Sequence, residues 1–240
     1  MSDKPTGAKA YGSIAHLPES RMGPGDHQCH EGQARIATVK ARDRHDRIIV
    51  QEKLDGSCVA AFKDTDGSLY ALGRAGYLAQ TSPYEQHQLF AHWVRENAAR
   101  FDAVLRPGER LVGEWLAQAH GTRYALDGRD PFVAFDIMEG PKRQTVEAFN
   151  ARVEDVFQTP HILNDGAPMS VDDALDCLGP HGFYGALDEV EGAVWRVERD
   201  GAVDFLCKYV RPDKIDGKYL PDTEAGKAAG TTAIIWNWRP

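Results

Sequence analysis

The chain has 240 residues, with 28 Lys and Arg against 36 Asp and Glu, for a formal net charge of −8. That length allows one large domain or two small ones with a substantial core. The acidic balance argues against an all-over basic nucleic-acid coat but leaves room for a local basic groove. Nothing in the composition points to disorder or fibre. The first twenty residues lack an apolar core, so no signal peptide is expected. No apolar run approaches the ~18 residues of a membrane span. The cysteines, Cys29, Cys58, Cys177 and Cys207, are scattered and form no CxxC pair. That fits a reducing compartment, and a cytoplasmic location is expected.

Residues 1–33 are rich in Gly, Pro and His and read as irregular or extended. Within them, "DHQCHEG" gathers His27, Cys29 and His30. The spacing matches no zinc pattern and no second ligand pair lies near, so a polar surface loop is expected. "QARIATVKARDRHDR" (33–47) starts strand-like and then carries Arg42, Arg44, His45 and Arg47. This run, from Arg35 on, is either a solvated face or a phosphate-tracking edge.

"RIIVQEKL" (47–54) reads as a strand. "SCVAAFKD" (57–64) and "SLYALGRAG" (68–76) read as two more, joined by a tight turn at Asp66-Gly67. From residue 82 to 101 the period becomes helical, with Leu89, Phe90, Trp93, Val94 and Phe101 on one face. Ser82 is the expected cap, Pro83 the first helical residue and Glu85 the capping-box partner. "RLVGEWLAQ" (110–118) and "PFVAFDIME" (131–139) follow as apolar strands. Helices are expected over 144–157 and over 170–178, the second capped by Ser170 with Asp173 three residues on. Residues 191–210 alternate on both sides of Asp200-Gly201 and read as a hairpin. The tail is mostly irregular and ends in apolar residues that dock back on the body. The pattern is α+β: mixed and antiparallel sheets with covering helices, in a single domain over 1–240.

Lys53 ends the strand 47–54 and is followed by Leu54, Asp55 and Gly56. A lysine amine attacks only when neutral, and its ordinary pKa is about 10.4. Burial or nearby cations would favour the neutral form. The flanking Glu52 and Asp55 would oppose it unless a metal or another cation offset them. Glycine at 56 would let a ligand approach the backbone. The tetrapeptide alone fits a surface lysine equally well.

Other motifs follow in order: "GRAG" (73–76), "GEW" (113–115), "FVAFDI" (132–137), "EGAV" (191–194) and "CKYV" (207–210). With "KLDG" (53–56), this ordered set closely resembles the ATP-dependent RNA ligases of the lysine nucleotidyltransferase superfamily. The resemblance spans about residues 33–211. It implies an ATP-grasp-like ligase fold and an enzyme that forms phosphodiester bonds. Lys53 would attack the α-phosphate of ATP and carry AMP as a phosphoramidate. Glu52 would contact the adenine amino group, and Arg74 the AMP sugar and phosphate. Glu114 would hold the ribose hydroxyls, and Asp55 and Gly56 would border the nucleotide. Phe135 would stack on adenine, with Phe132 as the other candidate for that place. Glu191 would bind Mg²⁺ or Mn²⁺, and Lys208 would contact phosphate.

Two departures stand out. The family has two lysines one residue apart in its last motif; here Lys208 is flanked by Leu206 and Val210. Arg211 or Lys214 are candidates to share its work. After Lys208 only about thirty residues remain, too few for the ~70-residue OB-fold module of DNA ligases and capping enzymes. The expected partners are RNA 5′-phosphate and 3′-hydroxyl ends, with the basic run or an accessory RNA-binding protein helping to grip them. A DNA-nick ligase, a GTP-using capping-type enzyme and a non-catalytic nucleotide- or RNA-binding module are the alternative readings.

Overall fold

A computed structural model describes residues 4–240. The strands are β1 (Ala15–His16), β2 (Asp46–Lys53), β3 (Ser57–Lys63), β4 (Leu69–Gly73), β5 (Glu109–Trp115), β6 (Phe132–Glu139), β7 (Lys142–Arg143), β8 (Ile162–Gly166), β9 (Gly192–Arg199) and β10 (Ala202–Val210). The helices are α1 (Glu31–Thr38), α2 (Glu85–Glu96), α3 (Ala98–Val104), α4 (Val146–Val153), α5 (Val171–Leu178) and α6 (Glu224–Ala228).

The strands form two five-stranded sheets, ordered β1-β10-β9-β2-β8 and β4-β3-β5-β6-β7. All pairings are antiparallel except the short parallel contact of β1 with β10. One face of the first sheet packs on α1 and α5 through Ile48, Val50, Trp195 and Ala174. One face of the second packs on α2, α3 and α4 through Val59, Phe90, Phe101 and Phe149. The other faces of the two sheets look toward each other across a cleft. The fold is therefore α+β, with mixed sheets and covering helices.

A buried polar cluster ties the sheets together. Arg196 on β9 pairs with Asp136 on β6, and both are almost fully buried. The Tyr11 hydroxyl donates to the other oxygen of Asp136 at 2.7 Å, and Arg143 lies 3.4 Å away. The same N-terminal segment then runs along β10: Leu17 N–H donates to Lys208 O and Arg21 N–H to Val210 O.

Three local expectations are corrected. Residues from 33 on read as strand-like, yet 31–38 form α1. His30 caps that helix: its Nδ1 accepts from Gly32 N–H at 3.1 Å, and Gln33 Oε1 accepts from His30 N–H. Ala34 and Ala37 are then buried. Ser82 does not cap α2, which starts at Glu85. Its hydroxyl takes the Tyr84 N–H and pairs with His87 Nδ1 instead. The expected 82–101 helix also breaks at Asn97 into α2 and α3. The hairpin turns fall as read, with Gly67 and Gly201 at positive φ. Ser170 caps α5 by accepting from Asp173 N–H. The tail docks through Trp236 and Trp238. Among the described residues, no helix is long and apolar enough to cross a membrane.

Candidate active site

β2 lies in one sheet and β3 in the other, so the chain crosses the cleft at Leu54, Asp55 and Gly56. Lys53 is the last residue of β2 and stands at that crossing. Side chains alternate along a strand. Ile48 and Val50 enter the core beneath the sheet, so Gln51 and Lys53 face the cleft. On β9 and β10 the same parity turns Arg196, Leu206 and Lys208 into it. The cleft holds about 920 Å³.

Lys53 Nζ lies 2.6 Å from Glu191 Oε2. Burial alone would lower the pKa of this amine, but Glu191 and then Glu114 outweigh it and hold the amine above its ordinary value. In this state Lys53 is an ammonium. Burial pushes both carboxylates up in turn: Glu114 to about 7, and Glu191 in the same direction.

Two close backbone approaches aim these groups. Gly56 N–H donates to Glu114 Oε1 at 3.0 Å, and a Cβ at 56 would lie 2.5 Å from Trp115 O. The absent side chain thus serves strand packing at the crossing. Gly192, with φ of 152°, follows Glu191; a Cβ there would lie 2.0 Å from Tyr209 O. Only glycine lets β9 start this close to β10, and that start puts Glu191 beside Lys53.

The remaining candidates fall at different distances from this centre. Phe135 borders the cleft with its ring edge-on to Tyr11, centroids 5.2 Å apart. Phe132 is fully buried among Phe90, Trp93 and Phe157, so it is core. Arg74 is on the rim, where its side chain bonds to Ser13 and Gly12 at 3.3–3.4 Å. Lys208 lies in the cleft, 4.0 Å from Asp26. Burial and the nearby Lys53 lower its pKa. Asp55 borders the cleft but its carboxylate accepts from Gly121 N–H and pairs with Lys214 at 2.9 Å. Lys214 is thereby turned toward Asp55 and Thr122. Arg211 is tied up outside by Glu189 and Asp213.

Glu52 takes the opposite parity from Lys53. Its Oε2 accepts from Phe183 N–H at 3.0 Å, and its Oε1 is buried without a hydrogen-bond partner. Burial raises its pKa to about 7. Despite its opposite parity it lines the same cleft as Lys53, Glu114 and Glu191. The basic run is also largely spent: Arg42 binds Asp46 and Asp204, Arg47 binds Asp165, and His45 meets Asp200. None of these lines the cleft. His30 caps a helix, and among the described residues no cluster of three or more His, Cys, Asp or Glu could hold a metal by itself. Sequence reasoning missed Arg196. The available signal was a charged residue inside the apolar alternation of "EGAVWRVE", two residues after Val194 and so on the same strand face.

A sequence model of RNA ligases matches residues 46–210. This chain belongs to the RNA ligase family. The matched span starts with β2 and ends with β10, so it contains Lys53, Glu114, Glu191 and Lys208. No curated protein matches the sequence. Among solved structures, an apo form of Naegleria gruberi RNA ligase aligns with a TM-score of 0.53 at 17% identity, over 85% of this chain and 57% of that one. A form with AMP and Mn gives 0.52 at 17%, over 85% and 60%. One with ATP and Mn gives 0.50 at 19%, over 70% and 50%. At these identities the likeness is one of fold. This RNA ligase family member spans 50–60% of the length of those chains.

Proposed function

We propose that this chain is an ATP-dependent RNA ligase that joins 5′-phosphate and 3′-hydroxyl RNA ends through AMP carried covalently on Lys53. The observation that carries the reading is the convergence of Lys53, Glu191 and Glu114 where the chain crosses between the two sheets. Membership of the RNA ligase family supports it, as do the similar folds of Naegleria gruberi RNA ligase with ATP and Mn and with AMP and Mn.

In the first step the Lys53 nitrogen attacks the α-phosphorus of ATP. An N–P bond forms, the bond to pyrophosphate breaks, and Nζ loses a proton. Glu191 Oε2, 2.6 Å away, is placed to hold that proton. A 5′-phosphate oxygen of RNA then displaces Lys53 from the AMP phosphorus. In the last step a 3′-hydroxyl attacks the activated 5′-phosphate and AMP leaves. The cleft residues position the groups and neutralise charge rather than form bonds themselves. Glu114 holds the ribose, Phe135 stacks on the base, and Arg74 and Lys208 face phosphate.

Glu191 and Glu114 fit a divalent cation. Mg²⁺ takes one or two carboxylates plus substrate phosphates, and Glu191 and Glu114 are two buried carboxylates beside Lys53. A bound Mg²⁺ or Mn²⁺ would supply positive charge against the phosphates, and that charge beside Lys53 would favour the neutral amine.

The test is covalent labelling. The protein, freed of bound AMP, is mixed with α-phosphate-labelled ATP and Mg²⁺, then denatured. Label is expected on the wild type and absent from Lys53→Ala. Labelling by GTP instead, sealing of DNA ends only, or no label at all would each overturn this assignment.

A further inference from the structure

The cleft extends past Lys53 to a wall that the proposed chemistry does not use. Residues 77–87 form it, between β4 and the start of α2. Its rim carries Tyr77 and Tyr84, which are 53% and 63% exposed. Among the described residues four large hydrophobic side chains are at least 53% exposed, and of these only Tyr77 and Tyr84 border the cleft. Both are aromatic, so the large apolar side chains exposed at the mouth are flat rings.

Tyr84 is held rather than loose. Its N–H donates to Ser82 Oγ, and its ring stands edge-on to His87 with centroids 5.7 Å apart. His87 is pinned by Ser57 Oγ at 2.9 Å and Ser82 Oγ at 2.8 Å. Tyr77 closes a tight turn in which Gly73 N–H donates to its carbonyl, three residues after Arg74. Lys4 Nζ lies 4.2 Å from its ring centroid. Glu85, next to Tyr84 in the chain, is paired with Arg239 at 2.5 Å. The rim therefore offers two exposed aromatic rings, one of them beside a cation, with the Glu85 carboxylate already matched.

Aromatic faces flanked by positive charge bind unpaired bases by stacking, independently of sequence. We infer that Tyr77 and Tyr84 form a stacking platform for the terminal bases of a single-stranded, 5′-phosphorylated RNA end. The inference rests on the ligase reading for its choice of strand. The 5′-phosphate must reach the AMP phosphorus at Lys53, and Arg74 connects that point to the rim. Preformed rings lose little freedom on binding, which favours affinity for a strand that is itself flexible.

The test uses a short 5′-phosphorylated oligoribonucleotide with 2-aminopurine at its first position. Its fluorescence is quenched on stacking, and titration gives Kd. The doubly substituted Tyr77→Ala/Tyr84→Ala chain is expected to bind at least about fivefold more weakly, with less quenching. Tyr77→Phe/Tyr84→Phe should bind like the wild type. Labelling of Lys53 by ATP should be unchanged in both, which also reports that they fold. An alanine pair with wild-type Kd overturns the platform. So does a parallel loss of ATP labelling, which would assign the rings to the nucleotide. If the wild type takes no label from ATP, the ligase reading fails, while the contrast in Kd still decides the platform.

Discussion

Lys53 Nζ and Glu191 Oε2 are 2.6 Å apart although 138 residues separate them in the chain. This ion pair keeps the amine protonated and unreactive in the resting protein. Glu191→Gln removes the main opposing charge and lets burial lower the Lys53 pKa. Without nucleotide, Lys53 in that variant should be acetylated several-fold faster at pH 8 than in the wild type, read by peptide mass spectrometry. Equal rates would mean that Glu191 does not govern the amine.

Burial raises the Glu52 pKa to about 7, above its ordinary 4.5. The folded state then holds a proton that the unfolded state releases between those values. Stability contributed by this group is full below about pH 4.5 and is lost as pH rises toward 7. Glu52→Gln should raise Tm at pH 8 and have little effect at pH 5. A uniform shift at both pH values would contradict this.

Arg196 and Asp136 form a buried ion pair joining the sheets. Removing one partner strands the other charge. Asp136→Ala should cost about 3–5 kcal/mol in urea unfolding. The Asp136→Ala/Arg196→Met double variant should cost less than the sum of its single changes. Additive losses would show that the pair is not coupled.

Gly192→Ala places a Cβ 2.0 Å from a backbone oxygen at φ of 152°. The expected cost is about 1–3 kcal/mol, with β9 displaced from β10. Because Glu191 precedes this residue, ATP labelling of Lys53 should fall along with Tm. A destabilised variant that labels normally would separate the strand start from the site.

Much of this arrangement was visible in the chain. Alternation around 47–63 and 191–210 marked the strands that carry Lys53 and Lys208, and both Asp-Gly turns fell where read. α1 was missed because histidine, outside the usual Ser, Thr, Asp and Asn caps, starts it. β8 was missed because Ile162 and Leu163 are its only large apolar residues and its partner β2 is remote. The ordered motifs named Glu114 and Glu191, but spacing could not say that they meet at Lys53. Leu206 lies opposite Arg196 in the β9–β10 ladder, and that arginine is already matched by Asp136. Local sequence around Lys208 does not contain that information.

The N-terminal segment has a practical bearing on how the protein can be handled. It lies outside the family-matched span, yet Ala15 and His16 pair with β10, and Tyr11 completes the contacts of Asp136. A recombinant fragment cut to 46–210 would leave the outer edge of β10 with unmet N–H and C=O groups. Such an edge is a template for pairing between molecules. Expression boundaries drawn from family similarity alone should therefore give aggregating material.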